Sequence, residues 1–123
     1  MVSRALISVV DDDESVRESL PDLLWELGFA AQAFASAEEF LGSDRLSQTS
    51  CLVLDIRMPG MSGPELQREL KRRHHAIPIV FMTAHGEETD RPRLIEQGAV
   101  ECLMKPFSDT ALRAALDAAL RAR

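Results

Sequence analysis

Carboxylates follow two short apolar segments of this 123-residue chain. Asp11, Asp12 and Asp13 come directly after one segment, and Asp55 ends another. Two carboxylates about 5 Å apart would repel each other by roughly 3 kcal/mol at an effective dielectric constant near 20. If the fold brings these acids together, a cation must therefore offset their charge.

A lysine and a hydroxyl group accompany two further apolar segments. Lys105 follows one of them and supplies a first positive charge, and Thr83 ends the other. A divalent ion is the natural second cation, because carboxylate oxygens are the ligands that Mg²⁺ and Mn²⁺ prefer. The residue types therefore predict an acidic site for Mg²⁺, or for Mn²⁺, beside a lysine and a threonine.

The apolar segments must position these side chains. Segments 5–10, 51–55, 77–83 and 101–105 are short, rich in Val, Ile and Leu, and do not alternate strictly with polar residues. This pattern is typical of strands that are buried on both faces of a parallel sheet. Segment 29–35 alternates loosely, which favours an edge strand. Polar residues that follow parallel strands meet at one edge of the sheet.

Amphipathic segments between these strands indicate helices. Leucines recur at helical spacing in the first and last of them (Leu20, Leu24 and Leu27; Leu112, Leu116 and Leu120). Capping boxes typical of helix N-termini precede two others (Ser36 with Glu39; Ser62 with Glu65). The repeated strand–helix order predicts one doubly wound α/β domain with helices on both faces, because such crossovers are right-handed.

Two prolines disturb the helical pattern. Pro21 lies inside the first helical segment, where it removes a backbone donor and clashes with the preceding turn. We expect either a kink there or a displaced helix start. Pro92 predicts the start of the fourth helix, which should be short and run to about Gly98.

Composition excludes several classes of protein. Fourteen basic and twenty acidic residues give a net charge of −6, which would repel a nucleic-acid backbone. The apolar runs are far shorter than a membrane span requires. Two cysteines in such a chain favour reduced thiols and a cytoplasmic location. We therefore expect no direct contact of this domain with nucleic acid or membrane.

Four sequence blocks together resemble the receiver domain of bacterial response regulators. They are VVDDDESVR (9–17), LDIRMPGMSG (54–63), FMTAHG (81–86) and LMKPF (103–107), in the order and at the spacing of that family. The second and third blocks are most similar to the FixJ-type branch. The resemblance implies a flavodoxin-like (βα)5 doubly wound parallel sheet in the order 2-1-3-4-5. It also implies one receiver domain over residues 1–123, with any output domain outside this chain.

The resemblance implies a phosphoryl-transfer role for three residues. Asp55 would accept a phosphoryl group from a phosphohistidine of a sensor histidine kinase. Lys105 would pair with a phosphoryl oxygen, and Thr83 would hydrogen-bond another and move inward. These residue types suit the chemistry, because positioned cations supply most of the catalysis of phosphoryl transfer. A carboxylate nucleophile would form an acyl phosphate that water can hydrolyse.

The same resemblance implies a set of metal ligands. Asp12, Asp55 and the backbone carbonyl of Arg57 would bind Mg²⁺ directly, and Asp11 would act mainly through water. We leave Asp13 out of this set, because an acid at this position is expected to cap the first helix.

Three further positions bear on the lifetime and the readout of the phosphorylated state. Arg57 and His85 flank the path of the attacking water in relatives, so we expect them to tune the stability of the acyl phosphate. Cys102, three residues before Lys105, occupies a switch position where the family usually has Tyr or Phe. A thiol cannot fill the pocket of a ring, so we expect the readout to differ.

The partners implied are a sensor histidine kinase and an output domain or downstream target protein. The FixJ-type resemblance favours a C-terminal DNA-binding output domain in a full-length transcriptional regulator, with homodimerisation upon phosphorylation. The chain is then a signalling module rather than an enzyme, although it would catalyse its own phosphorylation and dephosphorylation.

Two alternatives remain at this point. One is a phosphorylation-independent receiver that acts as a protein-interaction scaffold, which the unusual Cys102 and Pro92 favour. The other is a small Mg²⁺-dependent phosphatase with an aspartyl nucleophile. Such enzymes usually carry a second acid two residues after the nucleophile, where this chain has Arg57.

Overall fold

Strands and helices alternate along residues 4–84 and 91–121, the part of the chain that the computed structural model describes. The strands are β1 (Leu6–Val10), β2 (Ala30–Phe34), β3 (Cys51–Asp55), β4 (Ile79–Thr83) and β5 (Glu101–Met104). The helices are α1 (Glu14–Glu26), α2 (Ala37–Leu41), α3 (Gly63–Arg72), α4 (Arg91–Glu96) and α5 (Asp109–Arg121). A short 3-10 turn at Leu46–Gln48 precedes β3.

The five strands form one parallel sheet in the order β2-β1-β3-β4-β5. This order confirms the predicted doubly wound topology. All strands therefore end at the same edge, which we call the carboxyl edge. Asp55 pairs in register with Met82, and Thr83 pairs with Met104. The polar residues that follow the apolar segments thus share one edge, as predicted.

Helices cover both faces of the sheet and bury two separate apolar clusters. Leu20 and Leu24 of α1 pack with Leu112 and Leu116 of α5 against one face. Side chains of α2, α3 and α4 pack against the other face (Phe40, Leu66, Leu70 and Leu94). Burial of such side chains contributes about 1.5–3 kcal/mol each, so these two clusters hold the carboxyl edge in place.

Burial distinguishes central strands from edge strands in the predicted way. Every residue of β3 and β4 is buried, which is typical of strands covered on both faces. In β2 the side chain of Gln32 is exposed, which confirms an edge strand. The third strand has the predicted bounds, and the other four are shorter than predicted by one or two residues at an end.

The first helix begins at Glu14 and continues through Pro21. The prediction that Pro21 could displace the start of this helix is therefore wrong. The Asp13 side chain caps the helix by accepting a hydrogen bond from the Ser15 N–H at 2.9 Å, as predicted. Leu20 and Leu24 on either side of the proline are buried, so packing outweighs the lost backbone hydrogen bond.

The two predicted capping boxes differ in the structure. At α3, the Ser62 hydroxyl and the Glu65 carboxylate each accept the other residue's backbone N–H, at 3.2 and 2.9 Å. At α2, Ser36 caps the helix, but the Glu39 carboxylate accepts the N–H of Ala35. In this second capping box, the predicted hydrogen bond to the Ser36 side chain is present. The reciprocal bond differs, because Glu39 accepts the N–H of Ala35 instead of that of Ser36.

The described part of α4 begins at Arg91, beside Pro92, and its last turn closes at Gly98, which has a φ of +111°. The end of the helix agrees with the predicted end near Gly98, whereas the residues before Arg91 lie outside the described part of the chain. His85 lies in the segment 85–90, outside the described residues. No helix among the described residues is both long and apolar enough to cross a membrane.

Candidate functional site

Three carboxylates converge at the carboxyl edge. Asp11, Asp12 and Asp55 each offer an oxygen, and these oxygens all lie within 4.8 Å of one another. Asp11 and Asp55 are buried, whereas Asp12 is exposed. Because β1 and β3 are neighbours in the sheet, the turn after β1 and the end of β3 meet here. The tertiary structure thus brings together the acids that the sequence predicted.

Asp11 is held from three sides. Its Oδ1 accepts the N–H of Asp13 at 2.9 Å, and its Oδ2 accepts a hydrogen bond from Lys105 Nζ at 3.0 Å. Its backbone carbonyl accepts a hydrogen bond from the guanidinium of Arg17 at 3.0 Å. A fully buried carboxylate needs such partners, because an unpaired charge in the interior is costly.

Lys105 reaches across the sheet to the acids. It follows β5, and its backbone N–H donates to the Thr83 carbonyl at 2.8 Å. Its ammonium group lies 3.0 Å from Asp11 and 3.6 Å from Asp55. Burial alone would lower the pKa of Lys105, but the hydrogen bond to Asp11 and the charges of both acids outweigh burial and raise it. The lysine therefore remains a cation.

Asp55 carries a strongly perturbed carboxyl group. Burial and the negative charge of Asp11 raise its pKa from 3.8 to about 7, and Lys105 offsets only part of this effect. Near neutral pH the group is therefore divided between its protonated and ionised forms. A second nearby cation would favour the ionised form.

The donors present fit a hard divalent cation. Three carboxylate oxygens lie close enough to share one ion, and a single lysine does not neutralise them. Oxygen ligands and an open side toward solvent at Asp12 suit Mg²⁺ or Mn²⁺, which retain several waters. Arg57 is exposed in the loop after Asp55, where it lines a shallow cleft with Met58 and Pro59.

Thr83 is buried at the end of β4, next to β3 in the sheet. Cys102 is half-buried on β5 and packs beside the cluster under α2, α3 and α4. Cys51 is buried in the cluster on the opposite face, and neither cysteine is disulfide-bonded. The backbone N–H of Cys102 donates to Glu101, which forms an ion pair of 2.6 Å with Arg91.

Sequence reasoning missed three residues that shape the site. A Cβ at Gly63 would lie 2.2 Å from the backbone oxygen of Asp55, so only glycine lets α3 start this close to the strand end. Arg17 holds the Asp11 carbonyl, and Glu38 of α2 holds the loop after β3 through the N–H of Met61. Each contact joins residues six or more positions apart, and no local pattern signals it.

The chain belongs to the response regulator receiver domain family, whose match covers residues 7–117. It is 46% identical over 117 residues to Nodulation protein W of Bradyrhizobium diazoefficiens, covering 95% of this chain and 52% of that protein. It is 38% identical over 121 residues to Transcriptional regulatory protein FixJ of the same organism, covering 98% of this chain and 59% of FixJ. This chain therefore spans about half the length of these relatives.

Two solved structures agree with the fold and the family. The response regulator StyR superimposes with a TM-score of 0.89 and 48% identity, covering 98% of this chain and 61% of StyR. The crystal structure of FixJ-N gives a TM-score of 0.87 and 37% identity, covering 98% of this chain and 96% of FixJ-N. The predicted resemblance and the predicted flavodoxin-like topology are both confirmed.

Membership of this family defines the general class of activity. Receiver domains are signalling modules of two-component systems rather than metabolic enzymes. Receiver domains bind Mg²⁺ in an acidic pocket and interact with histidine kinases and with output domains.

Proposed function

We propose that this chain is a phosphorylation-activated switch whose phosphoacceptor is Asp55. The observation that carries this proposal is the contact of one half-buried lysine with two buried acids, Lys105 with Asp11 and Asp55, at 3.0 and 3.6 Å. Phosphoryl transfer requires a nucleophile beside positive charge, because negative charge spreads over the phosphoryl oxygens in the transition state. This arrangement supplies both within one pocket.

In the proposed reaction, an ionised Asp55 oxygen attacks the phosphorus of a phosphohistidine on a sensor kinase. An O–P bond forms, the P–N bond breaks, and its electron pair stays on the histidine nitrogen. Bound Mg²⁺ would neutralise phosphoryl charge and favour the ionised form of the nucleophile. Asp12, Asp55 and the Arg57 carbonyl would hold it directly, with Asp11 acting through water. Asp11 also keeps Lys105 close to where the new phosphoryl oxygens would lie.

Thr83 is the proposed sensor of the new phosphoryl group. Its hydroxyl is buried on the strand next to β3, so an added acceptor oxygen on Asp55 would give it a new partner. Cys102 offers no ring that could follow its movement. We therefore expect the signal to reach α4 by a different route, for which the ion pair between Arg91 and Glu101 joins the helix to β5.

Arg57 and His85 are the proposed tuning residues of the acyl phosphate. Arg57 is exposed beside the acidic pocket, from which its side chain can reach the path of an attacking water. Replacement of each by alanine should change the rate of dephosphorylation, measured as loss of the phosphorylated mass with time. Unchanged rates would end this part of the proposal.

In the full-length protein we propose that residues 1–123 are the receiver domain and that an output domain follows. The support is that the chain spans about half of its relatives, one of which is a transcriptional regulatory protein. We expect this chain to be cytoplasmic and its partners to be a sensor histidine kinase, the output domain or a downstream target protein, and a second copy of the chain upon phosphorylation.

A phosphorylation-independent scaffold is the alternative that Cys102 favours, because the usual aromatic switch residue is absent from that position. The complete acidic pocket with its lysine argues against it. The phosphatase alternative lacks support, because exposed Arg57 stands where a general acid would be needed.

Intact mass after incubation with acetyl phosphate and Mg²⁺ separates these alternatives. We expect one added phosphoryl group on the wild type, none on Asp55→Asn, and none without metal. Asp44→Asn, which alters an exposed acid between α2 and β3, is the matched control and should be phosphorylated normally. If no adduct is seen, formation of a beryllofluoride complex at Asp55, which mimics the acyl phosphate and does not hydrolyse, would show that the phosphoryl group is lost by rapid hydrolysis. If the wild type forms neither the phosphoryl adduct nor the beryllofluoride complex, the hypothesis of a phosphorylation-activated switch fails and that of a phosphorylation-independent scaffold is preferred.

A further inference from the structure

A carboxylate of α2 holds the loop that connects β3 with α3. Glu38 Oε2 accepts a hydrogen bond from the backbone N–H of Met61 at 3.0 Å, across 23 positions of sequence. The same oxygen lies against Gly60, where a Cβ would approach it to 2.8 Å. Gly60 also has a φ of +75°, which favours glycine. The loop and the carboxylate are therefore in close contact.

This loop begins directly after Asp55 and contains Arg57, whose carbonyl is the expected third ligand of Mg²⁺. Two other hydrogen-bonded features of the loop are local. Gly63 donates its N–H to the Ile56 carbonyl at 2.9 Å, which closes the loop on itself. The capping box at Ser62 joins the loop to its own helix. The bond from Glu38 instead comes from a separate element on the same face of the sheet.

We propose that Glu38 is a positioning residue for the metal site. By holding Met61, it fixes the loop so that the Arg57 carbonyl stays within reach of the same ion as the Asp55 carboxylate. This inference rests on the proposed Mg²⁺-dependent function. Hydrogen bonds to charged acceptors are stronger than neutral ones, and a ligand held in place before binding loses less freedom when the ion arrives.

Two substitutions at this position separate geometry from charge. Glu38→Ala removes the acceptor, whereas Glu38→Gln keeps an acceptor oxygen and removes the same negative charge. Both residues are good helix formers, so α2 should be retained. Glu18→Ala, on the exposed side of α1, matches the loss of charge and is the control.

The measurements are the Mg²⁺ dissociation constant by isothermal titration and the exchange rate of the Met61 amide hydrogen in metal-free protein. We expect Glu38→Ala to weaken Mg²⁺ binding about three- to tenfold, in line with the net contribution of one typical intramolecular hydrogen bond. The Met61 amide should exchange faster in this variant. Glu38→Gln and Glu18→Ala should stay within about twofold of the wild type in Mg²⁺ affinity.

Gly60→Ala provides a second variant that leaves Glu38 in the chain. The added Cβ would displace the Glu38 carboxylate and should weaken Mg²⁺ binding in the same direction. In a Glu38→Ala background the same substitution should cost less affinity, because the clash is gone while the strain from the positive φ remains.

Three results would overturn the inference. Equal Mg²⁺ affinity of the wild type and Glu38→Ala would show that the contact does not position a ligand. Equal weakening by Glu38→Gln and Glu38→Ala would assign the effect to charge. An unchanged Met61 exchange rate in metal-free Glu38→Ala would show that the hydrogen bond does not hold the loop. If instead the wild type binds no Mg²⁺, the proposed function itself fails.

Discussion

Two halves of the carboxyl edge differ in how firmly they are held. The acidic half consists of Asp11, Asp12 and Asp55 at the ends of β1 and β3. The readout half consists of Thr83 and Cys102 on β4 and β5. In the acidic half, β3 is buried throughout. In the readout half, β4 is buried throughout as well, but β5 is buried only in part and Met104 is 45% exposed.

The contacts in the acidic half are also more constrained than those in the readout half. Asp55 lies against the backbone of Gly63 and near Lys105, so its position has little freedom. On β5, the ion pair between Glu101 and Arg91 is largely solvent-exposed. Chemistry requires groups held in place, whereas a switch requires elements whose alternative arrangements differ little in free energy. The difference is what we expect if the acidic half carries out the proposed phosphoryl chemistry and the readout half moves.

The largest effect is expected from Gly63→Ala in the acidic half. The added Cβ would overlap the backbone oxygen of Asp55, which cannot move without shifting β3. We expect a loss of about 3 kcal/mol or more in the free energy of unfolding, measured with urea. Gly42→Ala is the control, because its Cβ would meet only an ordinary contact of 3.6 Å. Similar stability of both variants would contradict a rigid acidic half.

The pH dependence of stability should also originate in the acidic half. The pKa of Asp55 is about 7 in the folded state, against an ordinary value of 3.8, so the folded protein binds its proton more tightly. The stability due to this proton is fully present below pH 4 and is lost as pH rises through 7. We expect metal-free protein to lose about 2–4 kcal/mol over this range. Urea unfolding from pH 4 to 8 measures this loss.

Asp55→Asn should remove this part of the pH dependence and be more stable than the wild type at pH 8 without metal. Asp44→Asn should retain the wild-type profile. A wild-type profile that is flat between pH 5 and 8 would mean that Asp55 is ionised throughout, and the acidic half would then be less strained than its geometry indicates.

Substitutions in the readout half should separate signalling from chemistry. Thr83→Val keeps the shape of the side chain and removes its hydroxyl group. We expect the phosphoryl adduct to form within about threefold of the wild-type rate, because the cations and the nucleophile remain. The chemical-shift changes that beryllofluoride causes in β5 and α4 should be lost. Cys102→Ala should preserve both properties. Loss of the adduct in Thr83→Val would place Thr83 in the chemistry instead.

The smallest effect is expected from Arg91→Ala, which breaks the exposed pair with Glu101. Such pairs contribute less than about 1 kcal/mol and weaken with salt. Thermal unfolding at low and high salt should show a small difference that salt removes, with Mg²⁺ affinity unchanged. A loss well above 1 kcal/mol would mean that the readout half is held more firmly than its exposure indicates.

Much of the fold was predictable because its signals are local. Buried strands such as β3 and β4 are continuous apolar segments, and Asp13 and Ser62 cap helices within a few residues of their partners. Local signals do not define the start of α1, because Pro21 disfavours a helix locally while its buried neighbours stabilise one. Propensity is a weak guide wherever packing opposes it.

The sequence by itself determined which chemistry this protein can hold: carboxylates, a lysine and a hydroxyl group that follow buried parallel strands, and therefore share one edge. Only the tertiary structure decided how they meet. In the folded protein Lys105 contacts Asp11 across 94 positions of sequence, and Gly63 packs against the carbonyl of Asp55. Glu38 binds the loop between β3 and α3. Hydrophobic periodicity and capping motifs reflect interactions within a few residues. These contacts instead depend on the order in which the crossover connections place the strands in the sheet.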